Sequence, residues 1–163
     1  MQVACRAGLR QAVSMMLDPD LRQTLLDMAG HLAGARHDWW IIASAAVALH
    51  GADPGGVGDV DVLIDPRDAA ALFAALGIAS RPDRGDPLFR SEWFGRFPGC
   101  ALPVEIFAGF ALCEAGRWTP VVPRTRAAVM VGRALLHVPE RAELKELLVR
   151  FGRPKDLIRA ALL

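Results

Sequence analysis

Apolar residues recur along this chain with two different periods. After Asp18-Pro19-Asp20, where a capping carboxylate precedes a proline suited to a first helical turn, Leu21, Leu25, Met28 and Leu32 follow at three- and four-residue intervals. That spacing predicts an amphipathic helix ahead of the functional part, within an N-terminal helical segment over 1–36. Trp39-Trp40-Ile41-Ile42 is bulky and β-prone, whereas Ser44-Ala45-Ala46-Val47-Ala48-Leu49 favours a helix ending at Gly51, so the stretch reads as strand, tight turn, helix. A loop rich in glycine and proline over 52–58 leads into Asp59-Val60-Asp61-Val62-Leu63-Ile64-Asp65, in which acid and aliphatic residues alternate before the run becomes apolar. A helix is predicted over 66–76, with Pro66 in its first turn and Gly77 past its end. The stretch 81–99, dense in Pro, Gly, Arg and aromatic residues, is expected to hold one short strand around 88–94 and a mobile loop. A third clear strand, Pro103-Val104-Glu105-Ile106-Phe107-Ala108, again sets an acid among aliphatic neighbours. Further β-prone pieces lie at 119–122 and 127–131, and helical patterns close the chain over 139–151 and 154–163.

No internal repeat or interdomain linker interrupts this order. One domain over 1–163 is expected, of α/β (α+β) class, with a single mixed sheet flanked by helices and C-terminal helices over 139–163. Its 163 residues are 53% hydrophobic, with a mean hydropathy of +0.27, which provides a large core and excludes general disorder. Nineteen basic against 18 acidic residues give a net charge of +1, so no global field draws in a polyanion and a broad, sequence-blind nucleic-acid binder is disfavoured. The longest nearly unbroken apolar stretch, 39–49, is about 11 residues, short of the roughly 20 that cross a bilayer as a helix. The first residues lack the pattern of a secretory leader, so a cytoplasmic protein with no membrane partner is expected. Cys5, Cys100 and Cys113 lack the paired spacing of a structural zinc site and read as idle thiols.

The acids carry the chemistry. Side chains alternate faces along a strand, so Asp59 and Asp61 project from the same face and could share a cation. Hard divalent ions such as magnesium take oxygen ligands and leave positions for substrate phosphates. Glu105, on another strand, would complete a carboxylate triad if that strand lay alongside. Two ions held in this way could clamp the attacking and leaving oxygens of an in-line phosphoryl displacement, with Glu105 helping to deprotonate the acceptor. The same alternation is what any half-exposed strand shows, so a structural α/β domain with merely solvated acids stays open at this point. The turn at Ala43-Ser44 adds free backbone N–H groups at a helix start, where a phosphate can bind; Ser44 offers either a hydroxyl donor or a simple N-cap.

The succession Ile41-Ile42-Ala43-Ser44-Ala45-Ala46-Val47-Ala48-Leu49-His50-Gly51, then Gly58-Asp59-Val60-Asp61-Val62-Leu63-Ile64, then Val104-Glu105-Ile106 resembles the nucleotidyltransferase domain of the DNA polymerase β-like superfamily. Leu144-Lys145 and Gly152-Arg153-Pro154-Lys155-Asp156-Leu157 look like the closing helices of its small bacterial members, of the antibiotic and abortive-infection types. The resemblance implies a nucleotidyltransferase-like mixed sheet and transfer of a nucleoside monophosphate from a magnesium-bound nucleoside triphosphate to a hydroxyl acceptor, a small molecule or a protein. It implies two magnesium ions on Asp59, Asp61 and Glu105 as catalytic and metal residues, with Ala43 and Ser44 holding the triphosphate. The chain departs from the family pattern at Ala43-Ser44, where Gly-Gly or Gly-Ser is usual, at Val57-Gly58 before the paired acids, and at Glu105, where Asp is commoner. A degenerate, non-catalytic binding or regulatory module, within a toxin–antitoxin or defence pair, is therefore the alternative. Lys145 and Lys155 read as nucleotide contacts or, with Asp156, as a solvated helix face. The arginines from Arg81 to Arg96, interleaved with Trp93, Phe94 and Phe97, read as a base-binding element or an ordinary surface loop, and His50 as a capping or packing residue.

Overall fold

The computed structural model describes residues 17–82 and 85–163. The first part of the expected N-terminal segment and a piece of the 81–99 loop therefore lie outside the described residues. Among the described residues are five helices, α1 (Pro19–Leu32), α2 (Ala43–Leu49), α3 (Pro66–Leu76), α4 (Arg141–Phe151) and α5 (Pro154–Ala160). The strands are β1 (Trp39–Ile42), β2 (Val60–Ile64), β3 (Phe89–Arg90), β4 (Trp93–Phe97), β5 (Val104–Ala108), β6 (Ala111–Glu114), β7 (Arg117–Pro120), β8 (Ala127–Val131) and β9 (Ala134–Val138).

The class is mixed α+β, as expected, but the strands divide among three sheets instead of one. The main sheet has the order β1-β2-β5-β4, with β2 and β5 parallel and the outer pairs antiparallel; β3-β6-β7 form a second sheet and β8-β9 a third. The 81–99 stretch holds two strands, β3 and β4, which turn away from each other at Ser91-Glu92 into different sheets. Asp59 sits one residue before β2, at its entry.

Alternation along the main sheet assigns its faces. Val60, Val62 and Ile64 of β2 and Val104, Ile106 and Ala108 of β5 are all buried, and the helices α1 and α3 pack over this side of the sheet through Leu25, Met28 and Phe73. Gly95 of β4 is required here: a Cβ on it would lie 2.5 Å from the Phe73 ring. The other face carries Asp61 and Glu105, one residue out of phase with that apolar set.

Buried polar anchors fix the connections. Asp68 of α3 accepts from the Arg36 and His37 N–H groups at 3.0 and 2.8 Å, holding the loop that enters β1. Thr24 Oγ1 of α1 accepts from the Leu102 N–H at 2.8 Å just before β5, and Glu143 of α4 accepts from the Arg124 and Thr125 N–H groups at 2.8 and 2.7 Å. His50 caps α2 and its Nε2 lies 2.8 Å from the Pro139 carbonyl, which bears out the capping and packing reading. No helix of the described residues is long and apolar enough to cross a membrane.

Gly95→Ala is expected to lower stability by about 1–3 kcal/mol, because the added methyl meets a buried aromatic ring; chemical denaturation measures it, and a neutral result would show that α3 does not press on β4.

Candidate active site

The pairing of the main sheet aligns one transverse row of residues. Ile42 of β1 is opposite Asp61 of β2, Asp61 is beside Glu105 of β5, and Glu105 is opposite Arg96 of β4. Parallel pairing of β2 with β5 thus sets two carboxylates side by side on one face, and Asp59 adds a third charge from the entry to β2. All three line a cavity of about 360 Å³ together with Ala43 and Ser44 at the start of α2. The five residues expected from sequence therefore share one cavity.

Burial, together with the charges of Asp59 and Glu105, pushes the Asp61 carboxyl up to about 7, with Arg153 and Lys155 acting in the opposite direction. The site thus crowds three carboxyl groups that disfavour one another's ionisation. Glu105 is relieved by Arg96, whose Nε donates to Glu105 Oε1 at 3.2 Å and whose Nη2 donates to the same oxygen. In this arrangement the carboxylates share the cavity without closing into a three-ligand cluster: among the described residues no three Asp, Glu, His or Cys side chains stand close enough to hold an ion by themselves.

Ala43 has φ +54°, in the left-handed region that favours glycine. The turn from β1 into α2 keeps a glycine-type backbone although the residue is alanine, which is the physical content of the departure from Gly-Gly or Gly-Ser. Ser44 is not an N-cap. The cap position is Ile42, which supplies no side-chain hydrogen bond, and Ser44 lies inside the first turn, 3% exposed, with no hydrogen bond from its hydroxyl among the described residues.

The rest of the lining is basic and aromatic: Arg153, Lys155 and Arg159 come from the start and the body of α5, Phe89 and Phe110 add rings, and Phe94 and Phe107 lie on the same sheet face as Asp61 and Glu105. Lys155 is exposed, but Asp156 is fully buried and bonded to Arg153 at 2.5 Å, so this helix face is not simply solvated. That ion pair fixes Arg153 with its guanidinium 4.8 Å from the centre of the Phe89 ring. Lys145 is exposed on α4 and does not line the cavity. Arg96 and Phe94 belong to a sheet strand facing the cavity, so part of the arginine–aromatic stretch is site wall and not ordinary surface loop. Arg159 went unnoticed in the sequence; its only signal is the four-residue spacing from Lys155, which places both on one face of α5.

No family model and no curated protein matches the sequence. Solved structures do match its fold. A candidate nucleotidyltransferase from Thermotoga maritima superposes with a TM-score of 0.72 at 19% identity, covering 85% of this chain and 88% of that one. The antibiotic-resistance factor ANT(2'')-Ia superposes with a TM-score of 0.53 at 10% identity, covering 85% and 80%. At these identities the likeness is one of architecture, and on that ground the chain has the nucleotidyltransferase fold.

Proposed function

We propose that this protein transfers a nucleoside monophosphate from a nucleoside triphosphate to a hydroxyl acceptor, a small molecule or a protein. The observation that carries the reading is the in-register pair Asp61 and Glu105, with Asp59 beside them, in one cavity with a cationic wall from α5. Carboxylates crowded until Asp61 resists ionising up to about pH 7 fit a divalent cation, whose charge would offset their repulsion. Asp59 and Asp61 would be its ligands, joined by Glu105 once Arg96 lets go, and two magnesium ions match the implied chemistry. When bound, magnesium would neutralise the phosphate charge that builds up during displacement. The chain's own groups do the rest. Lys155 and Arg159 would draw the triphosphate against the backbone of Ala43 and the hydroxyl of Ser44. The phenylalanine wall would seat the base, and Glu105 would accept the proton of the acceptor hydroxyl. Catalysis is positioning and charge neutralisation, with little covalent chemistry from the protein.

One observation favours the second reading, a non-catalytic binding module: Glu105 is already satisfied by Arg96. Incubation with labelled triphosphates, magnesium or manganese, and mixed RNA, protein and aminoglycoside-type acceptors separates the two. Label transfer that disappears in Asp61→Asn is expected; its absence with every acceptor, while triphosphate still binds, would support the inert module.

The raised Asp61 pKa also fixes a pH dependence. A carboxyl whose folded value lies near 7 against an ordinary 3.8 favours the fold when protonated, so its contribution is lost as pH climbs through that interval. Metal-free Asp61→Asn should therefore melt higher than wild type by at least about 3 °C near pH 8, with the gap closing near pH 4. Magnesium should raise the midpoint of wild type and leave that of Asp61→Asn unmoved. Arg96→Ala should tighten manganese binding, measured by calorimetry without nucleotide, by about two- to five-fold, since the lost partner is an exposed arginine whose ion pair is worth little. Unchanged or weaker metal binding would show that Arg96 does not compete with metal for Glu105.

A further inference from the structure

A second and larger cavity, of about 960 Å³, opens at the far end of β2, beyond Leu63 and Ile64. It lies at the opposite end of the strand from Asp59 and Asp61, and Phe110 lines both spaces. Nothing in the proposed transfer chemistry uses it, and its size falls in the range of small-molecule sites, roughly 300–1,000 Å³.

Its lining is amphipathic and cationic. Trp40, Trp118 and Val121 give an apolar wall, while five arginines line it against three carboxylates, Asp38, Asp65 and Glu92. Three of the arginines are occupied: Arg67 by Asp65 at 2.7 Å, Arg126 by Asp38 at 3.0 Å, and Arg124 by Glu143 at 3.6 Å. The guanidinium groups of Arg36 and Arg90 have no carboxylate partner among the described residues. Arg90 is held all the same, with its guanidinium carbon 4.5 Å from the centre of the Trp118 ring. The ring holds this exposed guanidinium at the cavity, and the planar fork of an arginine suits bidentate recognition of a carboxylate or phosphate. Next to it in sequence, Ser91 is 3% exposed, lines the same cavity and makes no side-chain hydrogen bond among the described residues. Its hydroxyl therefore offers the cavity a donor and an acceptor that no group among the described residues engages.

We propose that this cavity binds a small organic anion, its phosphate or carboxylate held by Arg90, Arg36 and the Ser91 hydroxyl and its planar or apolar body lying against Trp118 and Val121. The site is separate from the carboxylate cleft and stands whether or not that cleft is catalytic.

The test is a heteronuclear NMR titration of the full, metal-free chain with phenyl phosphate, benzoate and inorganic phosphate as separate probes. Saturable shifts are expected at the Trp118 indole, at Ser91 and over 121–124, with phenyl phosphate or benzoate saturating at least about ten-fold below inorganic phosphate. The tighter of the two organic probes identifies the anionic group. Arg90→Ala should weaken that probe at least about ten-fold, the size expected for a charge-assisted hydrogen bond, and Arg90→Lys should recover only part because the planar fork is lost. Asp61→Asn should leave the titration unchanged. Arg36→Ala, tested in parallel with its spectrum confirming the native fold, guards against misfolding at position 90. The proposal is overturned by the absence of saturable shifts up to about 10 mM of both organic probes, a concentration that still reports millimolar affinity. It is equally overturned by shifts confined to the residues around Asp61, or by an affinity that survives both arginine substitutions.

Discussion

Two carboxylates set next to each other on neighbouring strands repel, and a fold that keeps them there must supply a counter-charge. The parallel register of β2 and β5 makes this unavoidable at Asp61 and Glu105. A shift of one residue in either strand would send one acid into the apolar layer beneath α1 and α3, at a cost far above that of the repulsion. Burial of Val60, Val62, Val104 and Ile106 therefore holds the acids in place, and the acids in turn dictate what surrounds them.

The counter-charge arrives from two directions. Arg96 comes from β4, in the same transverse row, and settles on Glu105; Arg153 and Lys155 come from the last helix and moderate Asp61. The buried Asp156 explains why that helix can deliver a cation at its start: it anchors Arg153 while the neighbouring Lys155 stays free to reach a ligand. The arrangement is asymmetric, with Glu105 satisfied and Asp61 not. A cation would complete it, and an anionic phosphate chain would meet both that cation and the free basic groups of α5. A local group of basic side chains at this cavity would let a chain with a net charge of +1 accept a highly charged ligand.

Local pattern carried much of this, and pairing between distant strands carried the remainder. The helices at α1 and α3, the strand–turn–helix around Ala43 and the acid-bearing strands were legible because each rests on short-range periodicity or capping, as at Asp18 and Asp65. Acid–aliphatic alternation also marked Asp61 and Glu105 as lying on one face of their strands, whereas Asp59 falls just outside β2. The division into three sheets was not legible, because it depends on the reversal at Ser91-Glu92 and on which edges find partners, and β6 and β9 carry too few alternating positions to announce themselves. Nor was the role of Arg96 legible: its partner is set by cross-strand register, and in sequence it is one of many arginines in a stretch rich in glycine and proline. Ala43 stands between these cases. The departure from glycine is plain in the sequence, and only the backbone angle shows that the conformation was kept.

The claim on which all of this converges is that Asp59, Asp61 and Glu105 are the metal end of a phosphoryl-transfer cleft. Anomalous diffraction from crystals grown with manganese and a non-hydrolysable nucleoside triphosphate tests it most directly. The account predicts manganese bound through the carboxylates of Asp59 and Asp61 at about 2.0–2.3 Å, the phosphates between the metal and Lys155, and Arg96 released from Glu105. Manganese bound elsewhere, with Arg96 still on Glu105 and the triphosphate outside the cavity, would contradict it.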